Sequence, residues 1–270
     1  MELQELKELY LQGNSLAELG RKYGIQPTTI KKYLINAGVQ IRSRSEQNSL
    51  SNKKRKKRVK DNYFSVIDNV NKAWLLGFLM ADGSIRKDRN EIRINLSSID
   101  IEILEKIRNE LEIEREIASE ITNQGYAISY LSWSSEQQKI DLAKYGVVPN
   151  KTYLPLHLPN FNDDSYKLAF ILGFYDGDGS FSVNDKYCRL RLVSYRSEIL
   201  EDIAKFFESK YGATYSLSQD NRQLYELSIS TQFAVPVLKD MYSLNSIRLD
   251  RKYQKYLEYI NQETTISRLR

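Results

Sequence analysis

Cysteine and histidine are almost missing from this chain of 270 residues, which carries Cys188 and His157 as its single examples. One thiol closes no disulfide framework, and together the two residues build neither a structural zinc site nor a histidine-based catalytic metal site. The histidine lies in Leu154-Pro155-Leu156-His157-Leu158-Pro159, an extended linker pattern with no nucleophile elbow nearby, so a Ser-His hydrolase is not supported and His157 is read as structural. No apolar run reaches the 18 or more residues of a membrane span, and Met1-Glu2-Leu3-Gln4-Glu5 is not the start of a secretion signal. No membrane partner is expected; the expected location is cytoplasmic or nucleoid-associated, with an organellar or nuclear one open. Any chemistry is left to carboxylates, Lys, Arg, Tyr or Ser.

What is present is 41% hydrophobic and 28% charged residues, enough for one sizeable globular core and a small satellite. The net charge of +5 is unevenly spread. Residues 42 to 60 hold nine Lys/Arg against Glu46 alone, so the rest of the chain is net negative. A run such as Lys53-Lys54-Arg55-Lys56-Lys57-Arg58 repels itself and favours a polyanion. A solvated linker or a nuclear-localisation address would give the same composition.

Before this run, helical spacing places Leu3, Leu6, Leu9 and Tyr10 on one face, stopping at Gly13-Asn14. Ser15 can cap a second helix with Leu16, Leu19 and Tyr23 inward, ended by Gly24. Pro27 opens a third, closed by Gly38. The segment from Ser15 to Leu34 resembles the helix-turn-helix of resolvase-type and small regulator domains, whose second helix enters the major groove. That resemblance puts Thr28, Thr29, Lys31 and Lys32 on DNA, with Gln26 reading a base. The basic arm after it, with Arg42, Arg44, Lys53, Lys54 and Arg55, would follow the phosphates or the minor groove. The bland alternative is a three-helix cap packed on a neighbour.

Compared with itself, the chain repeats at an offset of 96 residues. Trp74-Leu75-Leu76-Gly77-Phe78-Leu79-Met80-Ala81-Asp82-Gly83-Ser84-Ile85 lies over Phe170-Ile171-Leu172-Gly173-Phe174-Tyr175-Asp176-Gly177-Asp178-Gly179-Ser180-Phe181, and Glu102-Ile103-Leu104-Glu105 over Glu198-Ile199-Leu200-Glu201. Each segment reads as a helix uncharged until its last turn, hence buried on all sides. Gly77 and Ala81, like Gly173 and Gly177, sit four apart, a small-residue face along which two backbones can touch. Such a crossing would bring Asp82 and Asp178 together at two helix C-termini, where the helix dipole and their mutual repulsion both disfavour negative charge. A divalent cation would relieve that conflict. A calcium-binding EF-hand loop over Asp176-Gly177-Asp178-Gly179-Ser180 is excluded, because Phe181 stands where its glycine is required. A single Asp-Gly-Ser would read as a plain helix-ending turn; two in register do not.

The two nonets resemble the LAGLIDADG motif of homing endonucleases, and the resemblance runs over roughly residues 63 to 260. It implies an α+β fold of two pseudo-symmetric αββαββα repeats forming a DNA-binding β-saddle, behind a small three-helix domain. The expected boundaries are residues 1–41 for the helix-turn-helix, 42–62 for a basic linker, 63–160 for repeat 1 and 161–270 for repeat 2. It further implies that Asp82 and Asp178 bind Mg²⁺ with the carbonyls of Ala81 and Gly177, Mn²⁺ substituting and Ca²⁺ binding without supporting cleavage. A basic residue supports the metal-bound water in this family: Lys151 in repeat 1, and Arg251 or Lys252 in repeat 2, between which the slipping offset does not choose. Met80, where motif two has Asp176, falls at a variable position that is not a ligand.

After each motif the period switches to that of a strand. Arg93 and Asn95 alternate with Ile92, Ile94 and Leu96, and Arg189 and Arg191 take the same polar face in the second repeat. Those faces, with Arg86, Ser182 and Asn184, would read a major groove unless simply solvated; Ser97 and Ser194 close strands near the expected site. The leading expectation is a monomeric, site-specific double-strand DNA endonuclease with a long asymmetric target and 3′ overhangs. The alternatives are a group I intron maturase, with structured intron RNA as partner, and a catalytically silent DNA-binding regulator on the same scaffold.

Overall fold

Eight consecutive residues of the first motif helix, Ala73 to Met80, are buried, and nine of the second, Leu168 to Asp176. Helices buried on every side belong at the centre of a structure. The computed structural model describes residues 2–56, 59–184 and 187–268 and divides into two compact units, residues 1–58 and 59–270.

The smaller unit holds α1 (Leu3–Leu11), α2 (Leu16–Tyr23), α3 (Pro27–Asn36) and α4 (Arg44–Lys56). Its core is Leu6, Tyr10, Leu19, Ile30 and Leu34, with Leu9, Leu16 and Tyr23 partly buried against it; Leu3, expected on the inward face, is exposed near the end of the described residues. Ser15 and Glu18 form a reciprocal capping box on α2, and Gly24 ends it at φ 68°, in the left-handed region. Gly20 is where α2 meets the turn into α3: a Cβ there would lie 2.7 Å from the Ile25 carbonyl oxygen.

Two expectations for the basic stretch are corrected here. Much of residues 42–62 is helix rather than a solvated arm, because Ser43 and Glu46 make a second capping box: the Glu46 amide donates to Ser43 Oγ and the Ser43 amide to Glu46 Oε2. Arg42, expected on DNA, is engaged within this unit. Its guanidinium lies 4.0 Å from the Tyr10 ring centroid and donates to the carbonyls of Tyr10 and Asn14, around the turn that follows α1. Arg44 is exposed; the side chains of Lys53, Lys54 and Arg55 lie outside the described residues.

The larger unit repeats one plan. Repeat 1 runs α5 (Val70–Asp82), β1 (Gly83–Ile85), β2 (Glu91–Ser97), α6 (Ile101–Glu110), β3 (Ala118–Ile121), β4 (Ala127–Ser134) and α7 (Glu136–Ala143). Repeat 2 runs α8 (Asp164–Asp178), β5 (Gly179–Asn184), β6 (Tyr187–Ser194), α9 (Ser197–Tyr211), β7 (Tyr215–Gln219), β8 (Tyr225–Ser230) and α10 (Thr231–Ser243), with α11 (Asp250–Arg268) after it. Each repeat forms an antiparallel four-stranded sheet, in the orders β1-β2-β4-β3 and β5-β6-β8-β7. The strands alternate as their sequences alternate. Ile92, Ile94, Leu131 and Trp133 are buried on one face of the first sheet; Leu190, Leu192, Leu227 and Ile229 match them in the second. This is the α+β fold of two αββαββα repeats.

The centre is the α5–α8 crossing. A Cβ on Gly77 would run into the Phe170 carbonyl oxygen, and one on Gly173 into that of Trp74. The two glycines are 96 residues apart, so the contact is pseudo-symmetric, and main chain packs on main chain where no side chain fits.

Candidate functional site

Because α5 and α8 cross so closely, their C-terminal turns converge. A Cβ on Gly177 would sit 2.5 Å from Ala81 Cβ and 3.2 Å from Asp82 Oδ2, which puts the last residues of both helices side by side. Asp82 and Asp178 therefore share one half-buried site. Burial raises both carboxyls above the usual range; Asp178, which the Asp82 charge lifts further, is pushed up to about 6.

Two lysines moderate this tension, which the acids alone would not show. Burial lowers both ammonium groups, while the two aspartates act in the opposite sense on each. Both lysines also close helix ends. Lys151, in a 3₁₀ turn at Lys151–Tyr153, donates from Nζ to the carbonyls of Ala81 at 3.2 Å and Gly83 at 2.6 Å. Lys252, in the first turn of α11, donates to the carbonyls of Tyr175 at 2.6 Å, Asp176 at 2.9 Å and Gly179 at 2.7 Å. A helix leaves its last carbonyls unpaired and negative, so a buried ammonium is well placed there.

Between the two basic residues left open in repeat 2, Lys252 is the one that mirrors Lys151. Arg251 points elsewhere, its Nε 2.7 Å from Asp100 Oδ1. The plain 96-residue offset does not reach this point because α10 has 13 residues where α7 has 8.

The Ala81 carbonyl, expected to face a metal, takes the Lys151 amine instead; Gly177 is half-buried beside Asp82. Among the described residues no group of three His, Cys, Asp or Glu side chains is placed to hold a metal ion. Two crowded carboxylates with desolvated charge do fit a small hydrated cation held by one or two acids, the usual mode for Mg²⁺.

A cavity of about 210 Å³ opens beside this centre, with Met80, Lys151, Phe174, Asp178 and Ser194 in its wall. Outward lie the polar sheet faces. Arg93 pairs across the strands with Ser132, and Asn95 with Tyr130; Arg93 donates to Asn95 Oδ1 and its guanidinium lies 3.7 Å from the Tyr130 ring centroid. In repeat 2, Arg189 pairs with Ser182, and Arg191 with Ser180 on the same face, Arg191 Nε 3.2 Å from Glu226 Oε1. Asn184 is exposed on β5, as is Arg86 just past β1. In the small unit Gln26, Thr28, Lys31 and Lys32 are exposed at the start of α3, and Thr29 is half-buried.

Sequence reasoning missed Asp176. It is buried in the core of the crossing, where its Oδ2 accepts from Trp74 Nε1 of the other repeat at 2.9 Å and from the Leu249 amide at 3.0 Å. Burial raises its carboxyl. The available signal was a second acid, two residues ahead of the shared aspartate, where repeat 1 has Met80.

The model of the LAGLIDADG-like domain matches residues 69–144 and again 165–240. An uncharacterized protein of Methanocaldococcus jannaschii is 23% identical over 206 residues, covering 73% of this chain and 72% of its own length. Among solved structures, the homing endonuclease I-DmoI in complex with DNA and Ca aligns at 19% identity, covering 70% of this chain and 100% of that one, with a TM-score of 0.48. The N-terminal LAGLIDADG domain of DUF199/WhiA aligns at 17% identity, covering 67% and 87%, with a TM-score of 0.47. With two matched copies that fall on the two structural repeats and together span more than half of its length, the chain belongs to the LAGLIDADG-like domain family.

Proposed function

We propose that the protein is a monomeric, Mg²⁺-dependent endonuclease that cuts both strands of a long, asymmetric DNA duplex, leaving 3′ overhangs. The observation that carries this reading is the convergence of Asp82 and Asp178 between two sheets that each turn a polar face outward. Asp82 and Asp178 would hold the cation, with the Gly177 carbonyl beside them. Bound Mg²⁺ supplies a water of lowered pKa and positive charge for the scissile phosphate. Lys151 and Lys252 fix the helix ends and add positive charge within reach of both acids. Arg93, Asn95, Ser182, Asn184, Arg189 and Arg191 lie on the faces that would enter the major groove, where β-ribbons read bases. The halves carry different residues there, so the target need not be palindromic. In the small unit, α2 and α3 would act as a helix-turn-helix, with Gln26, Thr28, Thr29, Lys31 and Lys32 toward the duplex.

A second reading, a DNA-binding regulator on the same scaffold, is favoured by the Lys151 amine on the Ala81 carbonyl. One experiment separates the two. Purified protein with Mg²⁺ is expected to cut DNA from its own genomic locus, cutting to stop with a chelator, and Asp82→Asn/Asp178→Asn to bind without cutting. Binding without cutting by the wild-type chain would establish the regulator; full cutting by the double variant would remove the aspartates from the role assigned to them. Removing residues 1–58 is expected to weaken binding by about 10²-fold and to flatten its salt dependence, while metal-dependent cutting persists.

A further inference from the structure

Asp100 ends the 3₁₀ turn Ser98–Asp100 that runs into α6, and Arg196 precedes α9; the two are 96 residues apart, and neither side chain bonds to its own helix. Both reach across to the other repeat. Asp100 Oδ1 accepts from Arg251 Nε at 2.7 Å, and Arg251 is the neighbour of Lys252. Arg196 Nε donates to the Thr152 carbonyl at 3.0 Å, and Thr152 is the neighbour of Lys151.

The pattern recurs further along the same helices, at Lys106 and Asp202, again at the 96-residue spacing. Lys106 Nζ of repeat 1 lies 2.6 Å from Asp250 Oδ2, at the start of α11. Asp202 Oδ2 of repeat 2 accepts from the Leu158 amide and lies 2.9 Å from His157 Nδ1, in the irregular segment that follows Lys151. The order of charges is inverted between the halves: acid then base on α6, base then acid on α9. Both helices thus grip a lysine-bearing segment of the opposite repeat, at equivalent positions and by different chemistry.

We propose that Asp100 and Arg196 are positioning residues, each holding the other repeat's lysine at its helix end, so that each half of the protein sets the geometry of its partner's site. The grips differ in strength. Asp100 is well covered and meets a charged partner, whereas Arg196 meets a neutral carbonyl at a more exposed position. A contact with charge on both sides is the stronger kind.

The contact is tested apart from any nuclease activity by acetic anhydride labelling, with the acetylation rates of Lys151 and Lys252 followed by mass spectrometry. Asp100→Asn is expected to speed labelling of Lys252 about fivefold and to leave Lys151 unchanged. Arg251→Gln, which cuts the same contact from its other side, should do likewise. Arg196→Ala is expected to speed Lys151 alone, and Arg196→Lys to restore the slow rate. Equal acceleration of both lysines, or of neither, in variants with unchanged circular dichroism overturns the inference. The cleavage consequence rests on the nuclease reading: Asp100→Asn and Arg196→Ala should accumulate nicks on opposite strands. Selective labelling with a wild-type protein that cuts no DNA would leave the cross-grip standing and bring down the nuclease reading alone; identical nicking by both variants would refute the strand assignment made here.

Discussion

Repeat 1 ends its central helix in Met80-Ala81-Asp82, and repeat 2 ends its own in Asp176-Gly177-Asp178. At the shared aspartate the two are alike; two residues earlier they are not. Met80 is packed as a hydrophobe, while Asp176 takes hydrogen bonds from Trp74 and from the segment leading into α11. The lysines differ in the same direction. Lys151 is half-buried with two carbonyl partners, and Lys252 is buried with three. A duplicated fold has kept its backbone symmetric and let its site become lopsided, with the second half wired more tightly through buried polar contacts.

The largest test of that comparison lies at what the halves share. Asp82→Asn and Asp178→Asn, made singly, are each expected to lower double-strand cutting by about 10²- to 10³-fold, as losing one charged contact in a preorganised site does. A wild-type rate in one of them, measured in a plasmid linearisation assay, would show that the aspartates are not equivalent partners. Next come the crossing glycines. Gly77→Ala and Gly173→Ala should each cost about 3 kcal/mol, roughly 6–12 °C of Tm, because the methyl meets a carbonyl oxygen of the facing helix rather than a side chain that can turn away. Calorimetry giving unequal losses would break the symmetry of the crossing.

A smaller effect concerns what the acids do to the fold. The Asp178 carboxyl sits at about 6 when folded, above its ordinary value, so its neutral form is the one the fold favours. The stability that this group contributes is fully present below the unfolded-state value near 4 and is lost as pH rises through about 6. Asparagine never ionises. Asp178→Asn should therefore stabilise the protein by on the order of 2 kcal/mol at pH 8 and change little at pH 4, in thermal melts run without metal. Destabilisation at pH 8 would mean that the carboxylate is structural. The smallest effect lies outside both repeats and serves as their control: Ser15→Ala removes the cap of α2, should cost about 1 kcal/mol in the small unit, and should leave melting of the larger one unchanged.

Much of this architecture was legible because it is periodic. Gly77 and Gly173, Ile92 and Ile94, Ser15 and Gly24 announce a close crossing, a half-buried strand and a capped helix through spacing alone, and each is found in that place. The meeting of Asp82 and Asp178 at two helix ends, with Lys151 beside them, was legible as a placement. Misread elements have local causes. Residues 44–56 looked like an arm because the run of charge hid Ser43 and Glu46, whose reciprocal bonds start a helix. Arg42 was counted with that charge, although the end of α1 supplies its partners. Asp100 and Arg196 were beyond reach, since contacts 151 and 44 residues away in sequence leave no periodic trace.

Where α5 and α8 touch, main chain meets main chain. Side chains are the material that substitution works on, and at Gly77 and Gly173 that seam has no room for one. The outward residues of the two sheets carry no such restriction, so the sequence can wander there without disturbing the pivot beneath. A crossing with little room for change, under surfaces with a great deal, lets one scaffold persist while its outer faces are rewritten.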